Sequence, residues 1–218
     1  FEKALIGYQS ILKLKPTYFW AFAGCGEVHM RRQEFYEAIP MFRGFLEIHS
    51  DDVWARGQLA IAFESTKQFQ EAVEEYTQVL LIEPENEWAL QRRAFLNHYE
   101  LRNIPLARED YDQILLLNPA DAKHLAARGQ VKHLLFDLSG ALSDLNQAIQ
   151  INNTDAGYSG KRAQVFTTLA KFDLSMADYE TAIRIDSNSG WLFAGRGYAL
   201  FLSGNLEEAQ KLIPTFKT

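Results

Sequence analysis

The chain has 218 residues, 47% of them apolar, with a formal net charge of −6 and a single cysteine. An acidic chain without a lysine- or arginine-rich run argues against nucleic acid as principal partner, because phosphate binding needs clustered cations. No apolar run approaches the ~20 residues of a membrane span, no charged-then-apolar leader opens the chain, and one cysteine excludes an internal disulfide. The compartment stays open, with the cytoplasm as the default expectation.

In chain order, Phe1–Leu14 carries a helical apolar pattern that Pro16 closes, and it matches only the second half of the longer patterns after it. Five complete helix–turn–helix patterns then occupy 19–52, 53–86, 87–121, 122–155 and 156–189, and a last one fills 190–218. The clearest is 53–86: a helical stretch from Val53, a break at Lys67-Gln68, a second stretch, and Pro84 after it. The pattern 87–121 is one residue longer than the others, and the extra residue is expected near Arg102–Ile104, at the inter-helix turn, with Pro105 in the next helix's first turn. Pro40 lies about a turn inside a second helix, where it should remove one hydrogen bond and bend the helix. Asp121, Thr154 and Ser189 stand where helix caps are wanted. The bare second helix at the start, and Leu212, Ile213, Pro214 and Phe216 at the end, suggest a piece of a longer protein whose exposed ends could self-associate.

Numbering each pattern from 1 at Val53 exposes the repeat. Position 20 reads Ala4, Ala38, Ala72, Ala107, Ala141, Ser175 and Ala209, and position 8 holds only glycine or alanine: Gly26, Ala60, Ala94, Gly129, Ala163 and Gly197. Position 24 reads Tyr8, Phe42, Tyr76, Tyr111, Leu145, Tyr179 and Ile213. Small residues at 8 and 20 let two helices approach, and the large residue at 24 fills the space beside them. A hairpin this short cannot bury its own apolar face, so neighbours must cover it. These positions, with proline at 32 (Pro16, Pro84, Pro119), resemble the tetratricopeptide repeat family along essentially the whole chain. The resemblance implies an all-α, right-handed superhelical solenoid of helix–turn–helix repeats. It departs at position 11, where His29, Asn97 and Lys132 replace large apolar residues, and at position 32, where Ser50, Asn153 and Ser187 replace proline.

In proteins of this kind the first-helix positions 2, 5, 6, 9, 12 and 13 line a concave groove, which implies binding of a peptide or protein segment. Positions 5 and 6 are often small here (Ala23, Gly24, Gly57, Ala126, Ala127, Gly160, Ala194, Gly195), which suggests an open floor. Trp54, Trp88, Phe95, His98, Tyr99, Tyr198 and Phe201 would stand around it. All four tryptophans (Trp20, Trp54, Trp88, Trp191) fall at position 2; the competing reading is that they lean on the preceding hairpin and seal the stack. Arg92 and Lys161 at position 6, with Lys123 at position 2, give either a basic spot for a ligand carboxylate or an ordinary solvated face. The expected peptide-binding set is Trp54, Trp88, Arg92, Phe95, Tyr99, Lys123, Gln130, Lys161, Gln164 and Tyr198. No three successive patterns carry the family's terminal-carboxylate clamp.

Arginine recurs at position 7 (Arg93, Arg128, Arg162, Arg196) and aspartate at position 23 in three of those patterns (Asp110, Asp144, Asp178). This is either a ladder of cations for an acidic ligand or a set of bridges tying helix to helix. Cys25 reads as a small core residue. The histidines (His29, His49, His98, His124, His133) have no metal spacing, and no phosphate loop is present, so no cofactor and no catalytic residue are expected. His98 and His133, both at position 12, could be neighbours on the groove wall. Asn152-Asn153-Thr154 spells a glycosylation acceptor, a frequent chance match. The function expected is a non-catalytic interaction scaffold; the alternatives are the substrate-selecting arm of a larger enzyme, or a self-assembly module.

Overall fold

The computed structural model describes residues 1–212, and those residues are helical throughout, without a strand. The helices are α1 (Glu2–Leu14), α2 (Phe19–Arg31), α3 (Phe35–Leu46), α4 (Val53–Ser65), α5 (Phe69–Ile82), α6 (Glu87–Phe95), α7 (Ile104–Leu117), α8 (Ala122–Leu134), α9 (Leu138–Ile151), α10 (Ala156–Thr168), α11 (Phe172–Ile185), α12 (Gly190–Leu202) and α13 (Leu206–Leu212). A π-helical turn, Leu96–Glu100, comes directly after α6. None of these helices is long and apolar enough to cross a membrane. Ile213, Pro214 and Phe216, with the apolar end expected there, lie outside the described residues.

The chain divides into two compact units, Phe1–Asp110 and Tyr111–Thr218. In the first, α2 pairs with α3 and α4 with α5, and successive pairs join through α3–α4 and α5–α6. In the second, α8–α9, α10–α11 and α12–α13 are the pairs, joined through α9–α10 and α11–α12.

The same local chemistry shapes each hairpin. First helices start on side-chain caps: Asp52, Asn86, Asp121 and Asp155 accept the backbone N–H of Ala55, Ala89, His124 and Gly157 at 2.8, 3.0, 3.1 and 2.7 Å. The expected cap Thr154 is one residue early; its N–H and hydroxyl turn instead to Asn152 Oδ1. Ser189 is at the right place, but its hydroxyl makes no capping bond. Every first helix ends on one left-handed residue: Gln33, Lys67, Arg102, Phe136, Ala170 and Gly204. In five of these turns the next N–H reaches back to close the helix, as Gln68 N–H does on the Phe63 carbonyl at 2.8 Å and Asp137 N–H on Lys132 at 2.9 Å.

The left-handed residues also locate the extra residue of 87–121. The turn at Arg102 has the same left-handed residue as the others, so the insertion is not there. It is absorbed five residues earlier, in the π-helical turn, where Leu101 N–H donates to the Leu96 carbonyl at 2.9 Å. Pro40 is exposed, and α3 continues through it.

Inside, the small positions do what close approach requires. Ala38, Ala72, Ala107, Ala141 and Ser175 are fully buried. A Cβ on Gly26 would meet the Phe42 ring at 2.8 Å, and one on Gly129 would meet Leu145 Cγ at 2.9 Å. Phe42, Tyr76, Leu145 and Tyr179 fill the cores beside them, and Cys25 is buried as expected.

Candidate functional site

In the first unit the face of interest is built by α4, α6 and the π-helical turn. Trp54 and Trp88 occupy the same helical position and the same setting. Trp54 stands edge-on to Phe42 at 5.8 Å, and Trp88 edge-on to Tyr76 at 5.2 Å, each ring leaning on the second helix of the preceding hairpin. Both indoles are nonetheless half-exposed, at 46% and 42%. Trp20 differs, tilting onto Phe45 and His49 of its own hairpin region. The two readings of the tryptophans are therefore not alternatives: one edge of the ring seals the stack and the other faces solvent.

The expected open floor is not there. A Cβ on Gly57 would meet the Trp88 ring at 3.2 Å, on Gly24 the Tyr8 ring at 2.5 Å, on Gly160 Trp191 and Leu192 at 2.4 Å, and on Gly195 the Tyr179 hydroxyl at 2.4 Å. Small residues at positions 5 and 6 are seats for neighbouring side chains, because a closely stacked helix fills any space a missing Cβ leaves.

Arg92 forms a two-pronged ion pair with Glu64 of α4, Nε to Oε1 at 3.1 Å and the second prong Nη2 to Oε2, and its guanidinium lies 5.8 Å from the Phe95 ring centre. Glu64 holds the guanidinium pKa above its usual value. The basic spot expected at Arg92 is thus neutralised by a carboxylate that the positional reading passed over. Tyr76 is buried beside the pair without a well-formed hydrogen bond; burial, then the Glu64 charge, push its pKa far up. Phe95, 43% exposed, meets Tyr99 at 5.0 Å. Burial raises the Tyr99 pKa.

His98 is not on this face. The π-helical turn shifts it by one residue, into the position that Phe63 holds in the hairpin before, and it is completely buried and stacked on Tyr99 at 4.0 Å. A completely buried imidazole does not stand on the groove wall where the position count puts it.

In the second unit, Lys123 is exposed and Gln130, Lys161 and Gln164 are half-buried on the equivalent first-helix faces of α8 and α10, while Tyr198 on α12 is 60% exposed. Burial holds the Lys161 ammonium below its usual pKa, with Asp155 acting against it. Neither lysine has an ion pair among the described residues. His133 joins Thr168 at 2.7 Å, and burial lowers its pKa. Trp191 sits over Gly160, as Trp88 does over Gly57.

The position-7 arginines are structural. Arg93 grips Asp110, Arg128 grips Asp144 and Arg162 grips Asp178, each through Nε and Nη2, with closest approaches of 2.6, 2.8 and 2.7 Å. The third nitrogen reaches the preceding hairpin's second helix: Thr77 at 3.0 Å, Asp112 at 2.9 Å and Asn146 at 2.7 Å. Arg196, opposite Leu212, reaches Glu180 at 3.3 Å instead. The acceptors Thr77, Asp112, Asn146 and Glu180 share position 25 and form a polar column of the repeat. In 53–86, where Leu59 holds position 7, Arg56 pairs with Glu75 at 2.7 Å.

The sequence pattern described as the tetratricopeptide repeat matches residues 55–86, and the helix pairs before and after repeat its geometry. Residues 55–86 are a tetratricopeptide repeat. Anaphase-promoting complex subunit 7 of Arabidopsis thaliana is 31% identical over 88 residues, which is 40% of this chain and 16% of that protein. The chain thus spans about a sixth of that relative's length. A tetratricopeptide repeat protein from Parabacteroides merdae superposes with a TM-score of 0.65 at 19% identity, covering 99% of this chain and 86% of the other. MamA superposes at 0.66 and 20% identity over 75% of this chain and 88% of its own. YrrB, a repeat protein with an unusual peptide-binding site, gives 0.61 at 16% identity over 80% and 89%. At such identities the likeness to other tetratricopeptide repeat structures is one of fold.

Proposed function

We propose that the chain is a non-catalytic interaction scaffold that binds a peptide or protein segment on the first-helix faces of its repeats. Trp54, Trp88, Arg92, Phe95 and Tyr99 serve in the first unit, and Lys123, Gln130, Lys161, Gln164 and Tyr198 in the second. The observation that carries this reading is the aromatic face of the first unit. Trp54, Trp88 and Phe95 stay half-exposed although each repeat has a core available to bury them. Rigid amphipathic rings held in place from behind give contact area at small entropic cost. YrrB, of the same fold, carries a peptide-binding site by its description, which supports the reading without locating the site here.

The test is capture of the natural partner by the wild-type chain and by Trp88→Ala/Phe95→Ala. The double variant should lose capture while its helical circular dichroism and melting stay close to wild type. Undiminished capture would remove the first-unit face from the site. The plant relative is named as a subunit of a complex, which favours, as a second reading, service as a recognition arm within a larger assembly.

A further inference from the structure

Resting on that reading of the first-unit face, we propose that its ligand is a proline-rich segment in the polyproline II conformation, seated across Trp54 and Trp88. Three observations carry this. Trp54 and Trp88 are two equivalent rungs, each braced edge-on by the aromatic ring at position 24 of the hairpin before. The Trp88 ring bridges from its own helix to α4, where it lies against Gly57. Packed helices lie about 8–10 Å apart. A polyproline II helix, with three residues per turn, presents one face again about every 9 Å, so every third residue of such a segment meets one rung.

Hydrogen-bonding capacity points the same way. Neither indole N–H has an acceptor among the described residues, and both rings are half-exposed. A polyproline II backbone makes no internal hydrogen bonds, so its carbonyls are free to accept from them. The competing ligands fit less well. Strand addition needs an unpaired backbone edge, and the backbone here is used up within helices. A helical ligand about 10–12 Å across needs a trough, but the small residue that would floor it, Gly57, is roofed by Trp88.

Trp191 is the internal control. It has the same position and a similar seat over Gly160, but Gly157 and Lys123 hold position 2 in the two repeats before it, so it is a lone rung. The test is an NMR titration of the indole N–H signals, each assigned by a single Trp→Phe variant, with a capped nonaproline peptide and with an amphipathic helical peptide of equal length. Nonaproline should shift the Trp54 and Trp88 signals with one shared Kd and leave Trp191 unmoved. Trp54→Phe and Trp88→Phe keep a ring but lose the N–H, and each should weaken binding about three- to tenfold, the scale of one hydrogen bond. If the helical peptide shifts Trp54 and Trp88 and nonaproline does not, the polyproline assignment falls while the binding face stands. If nonaproline moves Trp191 as strongly as the pair, ladder recognition falls. If neither peptide moves the pair and Trp88→Ala/Phe95→Ala still captures the natural partner, both readings fall together.

Discussion

The two units use one hairpin template and hold their repeats together differently. In the first, two successive junctions are sealed by an aromatic pair, Phe42–Trp54 and Tyr76–Trp88, and Arg93 alone fills position 7 with a fork. In the second, Arg128, Arg162 and Arg196 each reach back to the hairpin before, and tryptophan returns only at Trp191. The first-helix faces differ accordingly. The first unit offers Trp54, Trp88 and Phe95 with the Arg92 cation neutralised by Glu64; the second offers Lys123, Gln130, Lys161 and Gln164. The device that closes a junction therefore also decides the chemistry left on the face, because a ring leaning on the preceding hairpin still exposes its other edge, whereas a guanidinium fork is consumed by its acceptors.

Five perturbations would break or sharpen this contrast. The largest effect is expected from Arg128→Ala, which removes the fork on buried Asp144 in the second unit and leaves that carboxylate to Lys132 alone, at 2.9 Å. Loss of a buried pair of this kind costs about 3 kcal/mol, read as a drop in denaturant midpoint, and a variant that unfolds with wild type would deny the fork its structural part. Gly160→Ala comes next, because its new Cβ falls 2.4 Å from Trp191 and Leu192. Overpacking there should cost about 1–3 kcal/mol. Gly57→Ala, facing Trp88 at 3.2 Å, should come close to neutral, since alanine favours helix by about 1 kcal/mol over glycine. An equal loss at both sites would mean that the two seats are alike.

Phe136→Gly should stabilise the second unit by about 1 kcal/mol, as a left-handed backbone suits glycine and strains other residues. Phe136 is 79% exposed, so little packing is lost; an unchanged or lower midpoint would count against strain at that turn. The smallest effect concerns pH. Burial lowers the folded-state pKa of His133, so the unfolded chain takes up a proton first. Stability tied to this group is present above the ordinary histidine pKa of ~6.5 and declines as the pH falls below it. Melting temperatures at pH 7.5 and 5.5 should differ less in His133→Gln than in wild type.

Much of the repeat was legible beforehand because close packing leaves a strict size code. Ala38, Ala72, Ala107 and Ala141 recur in phase, and each is buried without remainder. The binding face was less legible. Gly57 and Gly160 announce that something must come close, but not whether it is a ligand or the next repeat's tryptophan. Arg92 shows a cation on the face, yet its partner Glu64 lies 28 residues away on another helix, at a position with no recurring acid. His98 was misplaced because an inserted residue can be taken up by a turn or by a π-helical step, and the two options differ in which side chain faces the core.

The amino-acid sequence by itself determined the helical hairpins and their phase, and it narrowed the recurring arginines and aspartates to two readings, since each arises from local periodicity or from residues that recur at fixed offsets. Only the tertiary structure decided what fills the space above the glycines, which charges remain without partners and where the extra residue went. Those outcomes depend on which side chain reaches a shared space first, and that competition between neighbouring helices leaves no mark on any one repeat.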